Sequence, residues 1–336
     1  MMVVMTRLYS RLPAILSFFL LTSCVSSHPE SLLQKHSGEI NFVSSLDRIP
    51  LKGKLERPAG QPIGAVLMLT GSGKTDSSET IPAEKTFTGK TERLFDQLSD
   101  AAIEAGFITL RYNKRGVLDS NGNVDETVWK TADRDHLIAD AVDAAKLLSR
   151  ESGFKASELI ILGHSEGTII ATETALRLGG EIQALLLFGA QARSMKEMFH
   201  YQIVESRSKQ TSGGSRQSSP EKEYIAALKM IETETKDFAP DGKPINWYRQ
   251  HLAAPANAER LKMVRGKKFV FQGEIDPQTP IEEVARFQRA GVSDLKVFTY
   301  PSLGHGFSPD KEGKPTLGPI DPSVLRDLKS VLSGLR

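Results

Sequence analysis

The sequence predicts an α/β protein: a mostly parallel, twisted sheet of about eight strands, with helices on both faces and a helical insertion late in the chain. Three observations predict it. Short continuous apolar runs, such as Leu159-Ile160-Ile161-Leu162, alternate with segments of helical apolar spacing, which is how strands buried on both faces read. That rhythm breaks over residues 191–265 and then resumes, which marks an insertion rather than a second fold. The chain of 336 residues is long enough for one large core, and its single cysteine rules out an internal disulfide, so stability must come from that core.

The elements follow in order. Arg7 and Arg11 precede a short, mostly apolar stretch from Leu12 to Leu21, too short to span a bilayer as a helix. Residues 1–23 are expected to be a secretory signal peptide. Leu21-Thr22-Ser23-Cys24 resembles the bacterial lipoprotein cleavage box, and the resemblance implies lipidation of Cys24 and attachment to a membrane. Several acyl chains would make that attachment lasting. Val25 stands where an aspartate would imply inner-membrane retention, so the expected location is the periplasmic face of the outer membrane. Residues 24–37 read as a tether.

Residues 39–45 and 51–56 suggest an antiparallel leading pair, and Ala65 to Leu69 a buried strand. From Thr91 to Ala105 the apolar positions recur at helical spacing until Gly106. Phe107 to Leu110 reads as a strand, followed by the turn Arg111-Tyr112-Asn113-Lys114-Arg115-Gly116. Ala132 to Ser149 is a second helical pattern. Strands are expected at 159–162, 182–188, 267–273 and 295–300, and a closing helix at 322–335. The core thus comprises residues 38–190 and 266–336, with residues 191–265 as a lid over the site.

The most informative residues are Gly163-His164-Ser165-Glu166-Gly167, which sit between an apolar strand and a helical pattern. Strand, Gly-x-Ser-x-Gly, helix is the context of a nucleophile elbow. The turn is so sharp that side chains two before or two after the serine would meet backbone, which glycine avoids. Ser165 is therefore the candidate nucleophile, with Gly163 and Gly167 as the elbow glycines. A serine hydroxyl needs a base, and the base an orienting acid, here in the chain order serine, acid, histidine. Asp276, three residues past Gly273 at the end of a strand and four before Pro280, is the candidate acid, with Glu274 as its local rival. His305, flanked by Gly304 and Gly306 beyond the next strand, is the candidate base. His164 is expected to turn its ring away from the nucleophile and to serve packing or support.

Acyl transfer also needs donors for a tetrahedral oxyanion, each worth roughly 2.7–4 kcal/mol in the transition state. The backbone N–H of Glu166 is the first candidate, its side chain incidental to that role. The second lies in Thr70-Gly71-Ser72-Gly73, with Ser72 preferred and Gly71 next. The same loop continues as Gly73-Lys74-Thr75, the ending of a phosphate-binding loop. Met68 stands where that motif needs a small residue, and a polar, proline-broken stretch follows instead of a helix. Phe199, Met198, Trp247 and Tyr248 are candidates to line an acyl pocket or to pack the insertion on the body.

Lys and Arg number 43 against 41 Asp and Glu. Removing the leader with its two arginines brings the mature chain near neutrality. No basic stripe points to a nucleic-acid partner.

Together the elbow 163–167, the glycine loop 70–73, the acid turn 273–280 and the His305 loop resemble the α/β-hydrolase fold family over about residues 39–335. Within it, Leu69 to Gly73 and Arg111 to Gly116 are similar to bacterial serine carboxylesterases related to the serine aminopeptidase and dienelactone hydrolase groups. Asn113 replaces their usual aspartate, which bears on the loop's shape and not on the triad. The resemblance implies cleavage of small acyl esters with no metal or organic cofactor. Fold alone does not fix the bond cleaved. An amidase, aminopeptidase or thioesterase could use the same triad. The readings from other classes are a non-catalytic binding lipoprotein and a nucleotide-binding protein.

Overall fold

The computed structural model describes residues 35–206 and 219–335. The expected leader, Cys24 and nearly all of the tether lie outside the described residues, as does most of the polar stretch between Ser206 and Pro220. The chain divides into Met1–Leu32 and Leu33–Arg336, and the fold is that of the second unit. No helix among the described residues is long and apolar enough to cross a membrane.

Strands β1 (His36–Val43), β2 (Pro50–Arg57), β3 (Gly64–Leu69), β6 (Phe107–Tyr112), β7 (Leu159–His164), β8 (Glu181–Phe188), β9 (Arg265–Gly273) and β10 (Leu295–Tyr300) form one sheet, in the order β1-β2-β6-β3-β7-β8-β9-β10. A small ladder pairs β4 (Thr80–Ile81) with β5 (Glu92–Arg93). β1 and β2 are antiparallel, and β2 runs antiparallel to β6; the six strands from β6 to β10 are mutually parallel. This is the α/β-hydrolase architecture expected from the sequence.

The pleat explains the unbroken apolar runs. In β3, Val66 and Met68 join the core on one face, while Ala65, Leu67 and Leu69 join the core on the other. Ile160 and Leu162 of β7 divide from Leu159 and Ile161 in the same way. The first face is covered by α1 (Leu94–Glu104) and the C-terminal helix α10 (Pro322–Ser333). The other is covered by α3 (Arg134–Ser152) and α4 (Glu166–Arg177), following the short α2 (Glu126–Trp129). The Asp133 side chain caps α3 by accepting from His136 N, and Gly153, at φ 81°, ends it in the left-handed conformation that favours glycine. The expected helix from Thr91 begins instead at Leu94, because Glu92 and Arg93 are taken into the ladder with Thr80 and Ile81.

Between β8 and β9 lie α5 (Met195–His200), α6 (Pro220–Thr233), α7 (Ile245–Ala253) and α8 (Asn257–Leu261); α9 (Glu282–Arg289) follows β9. Register brings the carboxyl ends of the central strands side by side. Leu69 faces Gly163, Gly163 faces Leu187, and Phe188 faces Phe271. Loops leaving β3, β7, β8 and β9 therefore open onto one crevice, the usual location of sites in such sheets.

One buried charge cluster ties the antiparallel margin to the parallel sheet. Arg111 on β6 donates to Glu56 of β2 at 2.7 Å and also to Asp96 of α1. Ser99 Oγ donates to the same Glu56 oxygen at 2.8 Å. Burial alone would raise the Glu56 carboxyl, but Arg111 and Ser99 outweigh it and lower it to about 2. That stabilisation is present above the ordinary value of 4.5 and is lost as pH falls toward about 2. Arg111→Met should lower the unfolding free energy by about 3 kcal/mol, because it leaves buried Glu56 with only the partly exposed Lys35, 3.1 Å from its Oε1, as counter-charge. Urea denaturation measures this, and adding Glu56→Leu should recover much of the loss. An unchanged midpoint in the single variant would contradict the assignment.

Candidate active site

Ser165 sits between β7 and α4 at φ 54° and ψ −120°. A non-glycine residue held there stores about 1–3 kcal/mol of strain. The surrounding backbone enforces it. The Ser165 amide donates to Phe188 O at 2.9 Å, and the Ser165 carbonyl accepts from Thr168 N at 3.0 Å and from Thr168 Oγ1 at 2.7 Å. A Cβ on Gly163 would fall 2.2 Å from Gly167 O, and one on Gly167 would fall 2.0 Å from Leu69 O. Both obstacles are main chain, so neither can yield as a side chain would. Ser165 is partly exposed and lines a cavity of about 180 Å³.

Asp276 and His305 meet across the crevice. His305 Nδ1 lies 2.7 Å from Asp276 Oδ2, and both side chains are buried. Asp276 Oδ1 accepts from Gln278 N at 2.7 Å and Thr279 N at 3.0 Å; Oδ2 also accepts from Thr279 Oγ1 at 2.5 Å. Burial alone would raise the Asp276 carboxyl, but His305 followed by Thr279 holds it below the ordinary carboxylate value. The rival Glu274 is exposed. The His305 ring packs against the turn that follows β8: a Cβ on Gly189 would lie 3.1 Å from His305 Cε1. Ser165 is next to His164, whose ring centroid is 4.8 Å from that of His305. The structure forms the acid–histidine hydrogen bond but no bond between the Ser165 hydroxyl and His305. That bond is commonly long in sites without substrate.

The backbone N–H of Glu166 opens α4, and Ser72 lies on the loop after β3; both residues line the cavity with Ser165. The loop approaches closely enough that a Cβ on Gly71 would lie 3.4 Å from Ser165 Cβ. Thr70 Oγ1 and Thr75 Oγ1, 2.7 Å apart, brace it, and Lys114 Nζ donates to Gly71 O at 2.5 Å. No helix follows Gly73-Lys74-Thr75: the chain turns into β4, and Lys74 pairs with Glu126. The geometry of a phosphate-binding loop is therefore missing.

The Glu166 side chain, incidental to the oxyanion role, has partners of its own. It is 3 % exposed. It accepts from Lys114 Nζ on one oxygen and, on the other, from Trp247 Nε1 with His251 Nε2 at 2.9 Å. Burial alone would raise this carboxyl, but Lys114 and then His251 hold it well below the ordinary range. One carboxylate thus joins the elbow, the β6 turn and α7. The sequence signal was an acidic residue at the start of the helix that follows the serine; His251 had none, since 85 residues separate it from Glu166. Phe199, Trp247 and Tyr248 line the cavity, one of the two roles open to them from the sequence, whereas Met198 is buried outside it and Met195 takes part instead. Asn113 braces the β6 turn: its Oδ1 accepts from Ser77 N at 2.7 Å and its Nδ2 donates to Val117 O at 3.3 Å. Among the described residues no group of three or more His, Cys, Asp or Glu could hold a metal ion.

The family model described as serine aminopeptidase, S33 matches residues 88–312, more than half of the chain. The chain is similar to esterase EstD of Thermotoga maritima, with 26% identity over 261 residues; the match covers 76% of this chain and 57% of that protein, so the chain spans little more than half of that relative's length. Solved structures with a similar fold include an esterase of Pyrococcus furiosus, at TM-score 0.53 and 13% identity, covering 96% of this chain and 95% of that one. Another is Est1E of Butyrivibrio proteoclasticus with ferulic acid bound, at TM-score 0.54 and 17% identity, covering 88% of this chain and 98% of that one.

Glu166→Gln should cost about 3 kcal/mol or more in thermal denaturation, since it strands Lys114 without a counter-charge. A carboxylate held below its ordinary value of 4.5 stabilises the fold above that value, so the gap from wild type should shrink as pH falls below it. A gap that widens in acid would contradict this.

Proposed function

The chain belongs to the serine aminopeptidase, S33 family, and from that membership we propose that it is a serine hydrolase cleaving carboxylic esters of small or medium acyl chains. The observation that carries the reading is the 2.7 Å bond between Asp276 and His305 at the crevice that Ser165 enters on its strained turn. In the proposed mechanism His305 takes the Ser165 proton on Nε2 as the hydroxyl attacks the ester carbonyl. Asp276 accepts from Nδ1–H, which fixes the tautomer and stabilises the imidazolium. The N–H groups of Glu166 and Ser72 receive the oxyanion. His305 then protonates the leaving alcohol, and water repeats the sequence to release the acid.

The cavity supports the size class. Its volume of about 180 Å³ is below the roughly 300–1,000 Å³ of drug-sized sites. Phe199, Trp247 and Tyr248 supply aromatic walls, while Gln191, Gln278 and Thr279 supply polar ones. Residues 191–265 contribute most of the aromatic wall, which supports reading them as a lid. The lidded hydrolase is further proposed to be exported through a signal in residues 1–23 and anchored by lipid on Cys24 at the periplasmic face of the outer membrane.

An aminopeptidase would share the triad, and the family's description favours weighing it. A peptide amine calls for a carboxylate facing substrate. Among the described residues Glu166 is the one acid lining the cavity, and Lys114, Trp247 and His251 already occupy it. That favours esters. A thioester substrate would use the same groups.

Ser165→Ala should abolish labelling by a fluorophosphonate probe and lower ester turnover by about 10⁴-fold or more. Short nitrophenyl esters and a hydroxycinnamate ester should turn over faster than aminoacyl anilides. Undiminished labelling of the variant would show that another serine is the nucleophile, and faster anilide cleavage would move the assignment to a peptidase.

A further inference from the structure

His164, the residue before the proposed nucleophile, is 5% exposed, and both of its ring nitrogens face oxygen acceptors. Nδ1 is 2.7 Å from Glu79 Oε1, and Nε2 is 3.0 Å from the main-chain carbonyl of His305. A carbonyl can only accept, and so can a carboxylate. A neutral imidazole has one N–H for these two acceptors; an imidazolium has two. We propose that His164 is a positioning residue whose imidazolium ties the His305 loop to the loop after β3, so that Ser165 reactivity declines when His164 loses its proton.

The structure gives this tie something to hold. Phe307, two residues beyond His305, lies at φ 57° while 2% exposed, a left-handed conformation that bulky residues seldom adopt. Main-chain bonds hold the loop through Leu303, Gly304 and Phe307, whereas the carbonyl of His305 is held by the His164 ring. Glu79 also sits at positive φ, 47°, and its second oxygen is buried without a hydrogen-bond partner. Its one bonded oxygen looks to His164, so deprotonation there would leave a half-buried carboxylate facing a lone pair.

The charged and titratable groups around the ring are Glu79 from the segment before β4, Asp276 from the turn after β9, and His305, with Phe307 edge-on at 6.3 Å. On its own segment Glu166 is engaged by Lys114. Burial alone would lower His164, but Glu79, the His305 carbonyl and Asp276 outweigh it and raise it above the ordinary 6.5. Stabilisation from the imidazolium is therefore complete below that ordinary value and is lost as pH rises through the raised one. His305 must be neutral to act as a base, whereas His164 must keep its proton to hold both acceptors.

The inference rests on reading Ser165 and His305 as nucleophile and base. The test is the rate of Ser165 labelling by a fluorophosphonate from neutral to alkaline pH, with ring-nitrogen spectra of ¹⁵N-histidine protein. Wild type should lose labelling rate at the alkaline end. Glu79→Gln should move that decline to lower pH by about one unit or more, because it removes the opposing charge. His164→Asn should label about ten- to a hundred-fold more slowly, the scale of a small misplacement of a catalytic group, and should show no alkaline decline. At neutral pH one histidine should carry protons on both ring nitrogens, and that signal should vanish in His164→Asn. If His164→Asn does not fold, Glu79→Gln and the wild-type spectrum decide. Labelling with a decline that Glu79→Gln leaves in place, or a His164 ring with a single proton, overturns this inference alone. No labelling of wild type at any pH overturns the hydrolase reading and this inference with it.

Discussion

Everything at the site depends on how closely a strand, a helix and a neighbouring strand can approach. Ser165 is exposed to the crevice because β7 turns into α4 within one residue, and such a turn leaves no room for a side chain at Gly163 or Gly167. The obstacles are carbonyl oxygens of Gly167 and Leu69, which the sheet and helix hold in place. The strain at Ser165 is supported by the core of β3, β7 and β8 beneath it, whose residues are almost wholly buried. Close approach also sets the neighbours: once Leu69 faces Gly163, the loop carrying Ser72 must lie beside the serine.

A second theme is the use of buried charge as cross-ties. The turn Arg111 to Gly116 leaves β6 with three cations, each directed to a different part of the fold. Arg111 reaches Glu56 and Asp96. Lys114 reaches Glu166 and the Gly71 carbonyl beneath the glycine loop. Arg115 grips Asp140 of α3 with bonds of 2.8 and 2.7 Å and reaches Asp47 in the turn after β1. Buried pairs of this kind contribute modest net stability, yet removing one partner is costly because the other remains desolvated. Their effect here is geometric: they fix where the β6 turn sits, and through Lys114 they fix the loop that presents Ser72.

Glu166 and His164 flank the serine and extend this arrangement to either side. Glu166 reaches α7 through Trp247 and His251, and His164 reaches the His305 loop and Glu79. The serine is thus held between two polar contacts to elements far away in the chain. Trp247 and Tyr248 of the aromatic wall stand on the same α7 that Glu166 anchors, so the floor and that part of the wall are mechanically joined.

The chain by itself determined the sheet, its order of elements and the candidates for the reactive side chains. Apolar runs of strand length, helical spacing between them and the paired glycines around Ser165 are local patterns, and local sterics and hydration give them one meaning. Asp276 and His305 were legible because each lies in a short turn after a recognisable strand. The tertiary structure alone decided the partners of buried charges. Glu166 meets His251 across 85 positions and His164 meets the His305 carbonyl across 141. A carboxylate or imidazole looks the same in a sequence whether water or protein satisfies it. Burial decides that, and burial follows from the packing of elements distant along the chain. The same reason hid the start of α1, where pairing with Thr80 and Ile81 overrode a helical pattern that was locally sound.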